Sequence, residues 1–286
     1  MQKLLPDELK ELWQTVDEKE FTGEQFYYEQ ERRLDRYRQI WKDALLLPGH
    51  SDLKESLVWE LGEYLGIQDR NNLWQRCCES TVTMKHEWEN GVDAHNRKAV
   101  EKFYDDSQGM MDELVWWHTL ESDVSPLAYV VALEFAQQQA GRAYLDFGSG
   151  IGSGGILFAH HGFNVAVADI SPSLLRFDRW RFEFRDLPAR IFDTSAMELP
   201  GNSFDFITAM DVFEHLFDPV ESAEMLWTTL KPGGFLFGRF GVEEDDNKPQ
   251  HIVKDFGPMF ERMKELGMNE VWQDEWLWGH QVFQKT

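Results

Sequence analysis

Cysteine is scarce in this chain: two residues, the neighbours Cys77 and Cys78, among 286. Adjacent cysteines rarely bridge each other, so a disulfide framework is excluded and reduced thiols on a helix are expected. That usage suits a reducing, cytoplasmic setting. An apolar run of about 18 residues is also missing, which argues against a membrane-spanning helix. The opening stretch MQKLLPDELKELW is charged and helix-patterned, without the apolar centre of a secretory signal. Positive charge is short as well: Lys and Arg total 28 against 51 Asp and Glu, a formal charge of -23. Such a field repels phosphate polyanions at long range, so neither nucleic acid nor an anionic membrane is expected as a partner. Aromatic residues, at 14%, are abundant, and a 42% hydrophobic fraction supports substantial cores.

Residues 1–120 read as an all-helical domain. Thr22 and Gln25 have capping-box spacing ahead of a helix over 24–45, closed by Leu47-Pro48-Gly49. Ser51 is placed to cap the next helix, where Leu53, Leu57, Val58, Leu61 and Leu65 recur at helical spacing and Gly66 supplies a stop. Further helices are expected over 71–84 and 93–120. Seven of the 12 tryptophans fall in this half, mostly as helix-packing residues. Tyr27, Tyr28, Trp116 and Trp117 are the candidates for an apolar substrate wall, since aromatic faces suit flat or cationic ligands. Exposed N-terminal aromatics would also support a homodimer.

From Ser125 onward the pattern alternates. Helix starts at Ser125-Pro126, Ser171-Pro172 and Asp218-Pro219 interleave with apolar runs at 143–145, 165–168, 189–192, 204–210 and 235–238. A helix over 255–266 and two runs at 270–276 and 280–284 follow, the last two joined through Leu277-Trp278-Gly279. Strands alternating with helices predict a parallel sheet covered on both faces, and the short final link requires an antiparallel last strand. The expected second domain, 121–286, is therefore α/β. Ligands of such sheets bind beyond the carboxyl ends of the strands.

The segment Asp146-Phe147-Gly148-Ser149-Gly150-Ile151-Gly152-Ser153-Gly154-Gly155 lies at such an end. Glycines let backbone turn tightly and approach a ligand, and the following helix presents free N–H groups. Asp169, at the end of the next strand, can accept hydrogen bonds from ribose hydroxyls. Loop and acid together point to a nucleoside. Gly150 to Gly155 also satisfies the dinucleotide fingerprint G-x-G-x-x-G, so a nicotinamide oxidoreductase is one alternative. Asp146 directly before the glycines opposes a pyrophosphate, and the downstream signals differ.

Four ordered motifs settle the resemblance. Asp146-x-Gly148-x-Gly150-x-Gly152, then Leu199-Pro200 with Ser203-Phe204-Asp205-Phe206-Ile207, Asp211-Val212-Phe213-Glu214-His215-Leu216, and Leu230-Lys231-Pro232-Gly233-Gly234 resemble those of class I S-adenosylmethionine-dependent methyltransferases, in the flavour of quinone-biosynthetic and other small-molecule enzymes. The resemblance covers roughly residues 144–240 and implies a Rossmann-like seven-stranded sheet, doubly wound, with its last strand antiparallel. It implies S-adenosyl-L-methionine as cofactor and a small-molecule acceptor. By resemblance, Asp146, Gly148, Ser149, Gly150 and Gly152 belong to the cofactor site, with the Gly148 and Gly150 backbone approaching its amino-acid part, while Asp169 holds the ribose and Ile170 packs on adenine. Asp193, or the Ser195-Ala196 backbone, serves the adenine edge; Asp211 and Val212 lie near the methionine moiety. Tyr104, ahead of the first motif, matches the position of an aromatic lid over the cofactor.

Methyl transfer needs a base only for an acceptor proton of high pKa. His215 and His251 are the leading candidates, joined by Tyr104 among catalytic residues; His118 is considered both as a base and, beside Trp116 and Trp117, as a substrate contact. Asp211, Glu214 and His215 offer donors for a divalent metal, but with no further ligand in view no metal is expected. A non-catalytic binding module that keeps the fold is the third alternative.

Overall fold

A computed structural model describes residues 4–5, 7–17, 23–119, 125–241, 248–274 and 279–286. Among these described residues seven helices come first: α1 Asp7–Asp17, α2 Gly23–Arg33, α3 Asp35–Leu45, α4 Leu53–Leu65, α5 Arg70–Gly91, α6 Arg97–Asp106 and α7 Gly109–His118. A short 3-10 turn, Ser125–Leu127, leads into α8 Ala128–Gln137. Then follow β1 Ala143–Phe147, α9 Ser153–His160, β2 Asn164–Asp169, α10 Pro172–Phe184, β3 Ala189–Asp193, β4 Phe204–Ala209, α11 Pro219–Thr229, β5 Leu230–Arg239, α12 Gly257–Glu265, β6 Met268–Gln273 and β7 His280–Lys285.

The strands form one seven-stranded sheet in the order β3-β2-β1-β4-β5-β7-β6. All neighbours are parallel except β7, which runs antiparallel to both β5 and β6. Side-chain alternation along the strands divides the core. Tyr144, Val165, Val167, Phe206 and Phe237 face α8, α9 and α10; Leu145, Ala166, Ala168, Ile207 and Leu236 face α11 and α12. Each fully buried Val, Leu or Phe of this kind contributes about 1.5–3 kcal/mol. The first cluster continues without a break into the helical half through Trp41, Leu61, Leu73 and Val115.

Several expected boundaries shift. The helix over 24–45 divides at Leu34, whose N–H is shared between the Gln30 and Glu31 carbonyls. Thr22, its proposed cap, lies outside the described residues, as do Leu277 and Trp278 of the last link and the boundary at 120–121. Asp52, not Ser51, caps α4 by accepting from the Glu55 N–H at 2.7 Å, while Ser51 binds the Glu55 carboxylate. Helix α5 runs on past Met84 because Trp88 continues the buried stripe of Leu73, Cys77 and Met84. The stretch 93–120 breaks into α6 and α7 where Glu87 of α5 takes the Ser107 hydroxyl and the Gln108 N–H. Strand β5 absorbs the Lys231-Pro232-Gly233-Gly234 turn, since Leu230 already pairs with Phe204. The caps at Ser171 and Asp218 form as expected.

Candidate active site

The carboxyl ends of β1, β2 and β4 open on one cavity of about 1040 Å³, roofed by α6 and α7. Its floor begins with the glycine loop. Gly148 and Gly150 take φ of +67° and +58°, the left-handed region that favours glycine. The Gly148 and Ser149 N–H groups both donate to the Ala168 carbonyl, tying the loop to β2. At Gly150 a Cβ would stand 2.9 Å from Leu114 Cδ1, so α7 lies directly on the loop. Gly148, Ser149 and Gly150 line the cavity.

Asp169 lines it too, only 7% exposed. Its two carboxylate oxygens accept from the Gly150 and Ser171 N–H groups at 3.0 and 2.9 Å, and each keeps acceptor capacity for a further donor. Burial pushes its pKa up to about 6, against the lowering effect of the Ser171, Gly150 and Ile170 N–H groups. Ile170 flanks it in the cavity wall.

Two expectations for the loop are corrected. Asp146 is fully buried beneath it and does not reach the cavity. Its carboxylate accepts from Gly155 N–H at 3.0 Å, from the Thr208 hydroxyl at 2.9 Å and from Tyr129 at 3.3 Å. It satisfies an otherwise free donor at the start of α9 and braces β1 against β4; burial raises its pKa to about 7. Gly152 likewise faces away, towards Asp178 and Phe182 of α10.

The adenine edge is redistributed. Asp193 folds back on its own turn, accepting from the Ser195 N–H and hydroxyl, and its carbonyl takes the Ala196 N–H. Ser195 opens on a separate recess beside Pro172 and Lys102. The residues of this segment that face the main cavity are Thr194, Met197, Glu198 and Leu199. Asp193 and Ala196 do not line the main cavity; the turn engages Asp193 Oδ1, the Asp193 carbonyl and the Ala196 N–H.

Beyond β4 the backbone turns sharply. Asp211 sits at φ +49°, costly for a residue with a Cβ, and is held there by Arg239 of β5 at 3.0 Å. Val212 follows in the cavity wall, and a 3-10 turn over Phe213–His215 aims Glu214 and His215 inward. The loop after β5 zips onto this turn: Val253 N–H donates to the Glu214 carbonyl at 3.1 Å, and His215 Nδ1 donates to the Gln250 carbonyl at 3.2 Å. That bond leaves Nε2 as the basic nitrogen of His215. The His251 ring stands 4.7 Å from that of His215, and donor atoms of Glu214, His215 and His251 lie within 4.8 Å of one another. Among the described residues, those three are placed to hold a divalent cation; His251 is the ligand that sequence spacing could not supply. Tyr104 packs edge-on to His215 at 5.8 Å. Its buried hydroxyl has no hydrogen-bond partner among the described residues. Burial drives that phenol well above its ordinary pKa, and Glu214, Glu113 and Asp169 add to the effect.

The roof is α7, which presents Glu113, Leu114, Trp116, Trp117 and His118 to the cavity. Tyr28 is corrected: it is 67% exposed on α2, away from the cavity. The side chain of Tyr27 lies outside the described residues. Sequence reasoning missed Met210, Glu113, Leu114, Tyr129, Arg239 and Lys248, all of which line the cavity. Only Met210 carried a local signal, as the last residue before the motif that follows β4.

The segment from 145 to 238 matches the family model described as a methyltransferase domain. That match agrees with the sequence resemblance to S-adenosylmethionine-dependent methyltransferases. Among curated relatives, a ubiquinone biosynthesis O-methyltransferase of Coxiella burnetii is 31% identical over 129 residues, covering 43% of this chain and 55% of the relative. A 2-methyl-6-phytyl-1,4-hydroquinone methyltransferase of Synechocystis is 32% identical over 111 residues, covering 38% and 35%. The chain thus spans about half or less of the curated relatives it matches. Among solved structures, a SAM-dependent methyltransferase from Aquifex aeolicus aligns at 19% identity and a TM-score of 0.46, over 57% of this chain and 93% of that one. The residues around the cavity fit S-adenosylmethionine, the cofactor that the sequence resemblance implies: a glycine cradle with close backbone approach, a carboxylate with spare acceptor capacity at the end of β2, and a volume at the upper end of small-molecule sites, which usually fall at about 300–1,000 Å³.

Proposed function

We propose that the protein transfers the methyl group of S-adenosylmethionine to a small-molecule acceptor held between the glycine loop and α7. The observation that carries this reading is the single cavity in which Gly148, Gly150 and Asp169 form one wall and the His215–His251 pair another. When bound, the cofactor supplies an electrophilic methyl carbon on a sulfonium. The chain's residues then have three tasks. Asp169 fixes the nucleoside, and Trp116 and Trp117 press a flat acceptor into line; positioning of this kind contributes up to about 7–11 kcal/mol in favourable cases. Tyr104 covers the site and keeps water out. His215, with Nε2 as its basic nitrogen, accepts the acceptor's proton as the new bond to carbon forms, assisted by His251.

The relatives' names make hydroquinones and aromatic precursors of ubiquinone the first acceptors to try. Incubation with methyl-labelled S-adenosylmethionine should yield labelled product from at least one of them, and His215→Ala should lower kcat more than it changes acceptor KM. Equal turnover by wild type and His215→Ala would remove the histidine from the mechanism. A second reading is favoured by the Glu214–His215–His251 cluster: a divalent cation held there would bind and orient an oxygen of the acceptor. Loss of turnover in a chelator, restored by Mg²⁺ or Mn²⁺, selects that reading; turnover indifferent to chelator rejects it. A homodimer is a further proposal, checked by the mass in solution.

A further inference from the structure

His118 is the one cavity residue that is 3% exposed and has both ring nitrogens without a hydrogen-bond partner among the described residues. A buried polar group in that condition costs free energy until a ligand satisfies it. Its position follows from α7. Leu114 rests on Gly150, and His118, four residues on, shares that helix face one turn further along. Its ring packs edge-on to Trp41 at 5.6 Å; Trp41 stacks on Tyr129 at 5.8 Å, and Tyr129 lies against Gly154 at the start of α9. His118 therefore stands over the β1 side of the floor, behind the glycine loop.

The nucleoside end belongs on the other side. Asp169 and Ile170 sit at the end of β2, and Thr194 directly follows β3. With adenosine there, the rest of the cofactor must run across β1, beneath α7. Resting on the cofactor reading above, we propose that His118 binds the α-amino-acid end of S-adenosylmethionine. A neutral imidazole suits that end: one ring N–H donates to the carboxylate, and the bare nitrogen accepts from the ammonium. Burial, with the charge of Arg181 nearby, holds the imidazole neutral by lowering its pKa to about 3. The role differs from the acceptor contact expected from sequence, and it makes the helical half part of the cofactor site.

Two probes separate the possibilities by calorimetry. S-adenosylhomocysteine carries the amino-acid end, and 5'-methylthioadenosine lacks it. His118→Phe, which keeps a buried ring, should weaken S-adenosylhomocysteine binding about 10- to 100-fold, the range of a hydrogen bond to a charged group, and leave methylthioadenosine unchanged. His118→Gln, which retains a donor and an acceptor, should recover part of the loss. Equal affinities for S-adenosylhomocysteine in wild type and His118→Phe, or parallel loss for both probes, overturns the proposal. If the wild-type protein binds neither probe, the cofactor reading itself falls, and with it this role.

Discussion

The floor and the roof of the cavity are built on different principles. The floor, from β1 to β5, offers backbone N–H groups and carboxylates whose positions follow from strand register. The roof, α6 and α7, offers only side chains, and their placement depends on how separate helices pack. The helical half that carries the roof is nonetheless locked to the floor. Glu60 of α4 is fully buried and takes Arg181 of α10 and Arg185 just beyond it at 2.9 and 2.7 Å. Arg181 in turn donates to the Ile151 carbonyl of the glycine loop and to the Ser153 hydroxyl. Burial alone would raise the Glu60 pKa, but the two guanidinium groups outweigh it and lower it. The helical half is thus wired into the glycine loop rather than hinged over it.

The strongest way to break that comparison is Glu60→Gln. Leaving Arg181 buried without its counter-charge should cost about 3–5 kcal/mol in urea unfolding. A joint replacement of Glu60 and Arg181 by methionine should regain much of it; an unchanged midpoint for Glu60→Gln would mean that the halves are independent. Next in size, Asp169→Asn should weaken S-adenosylhomocysteine binding by about 1.5–3 kcal/mol while leaving the fold intact, because the effect lives on the floor alone.

How much of this was legible differs between the two regions. Glycines and strand-end acids on the floor speak locally, so β1 to β5 and the positions of Gly148, Gly150 and Asp169 could be read directly. Asp146 misled because the alternation that makes β1 a strand also decides which acid is buried, and its partners Thr208 and Tyr129 are distant in sequence. The roof speaks only through packing. Tyr28 and Trp116 are both aromatic residues on helices, and nothing local tells which one faces a cavity. The nearness of His251 to Glu214, or of Glu60 to Arg181, arises from tertiary contact across 37 and 121 residues respectively.

Smaller effects sharpen the contrast. Because the Asp169 pKa is raised to about 6, its ionised form, the better acceptor for ribose hydroxyls, is depleted in acid. Affinity for S-adenosylhomocysteine should be flat above pH 7 and fall by about tenfold per unit below about 6, with Asp169→Asn abolishing that dependence. Asp146 acts on stability instead. Its folded form holds a proton more tightly than the unfolded chain, so its contribution is complete below the ordinary aspartate range and is lost as pH rises through about 7. Asp146→Asn should flatten that part of the pH–stability curve. The smallest change is expected for Gly150→Ala, about 1–2 kcal/mol from the left-handed backbone, with Leu114 giving way.

The most direct measurement is a crystal structure after soaking with S-adenosylhomocysteine. The ribose hydroxyls should lie within hydrogen-bond distance of Asp169, and the thioether sulfur should point towards the space between His215 and Trp117. Density for the molecule outside this cavity, or a ribose turned away from Asp169, would contradict the assignment of the floor to an adenosyl cofactor.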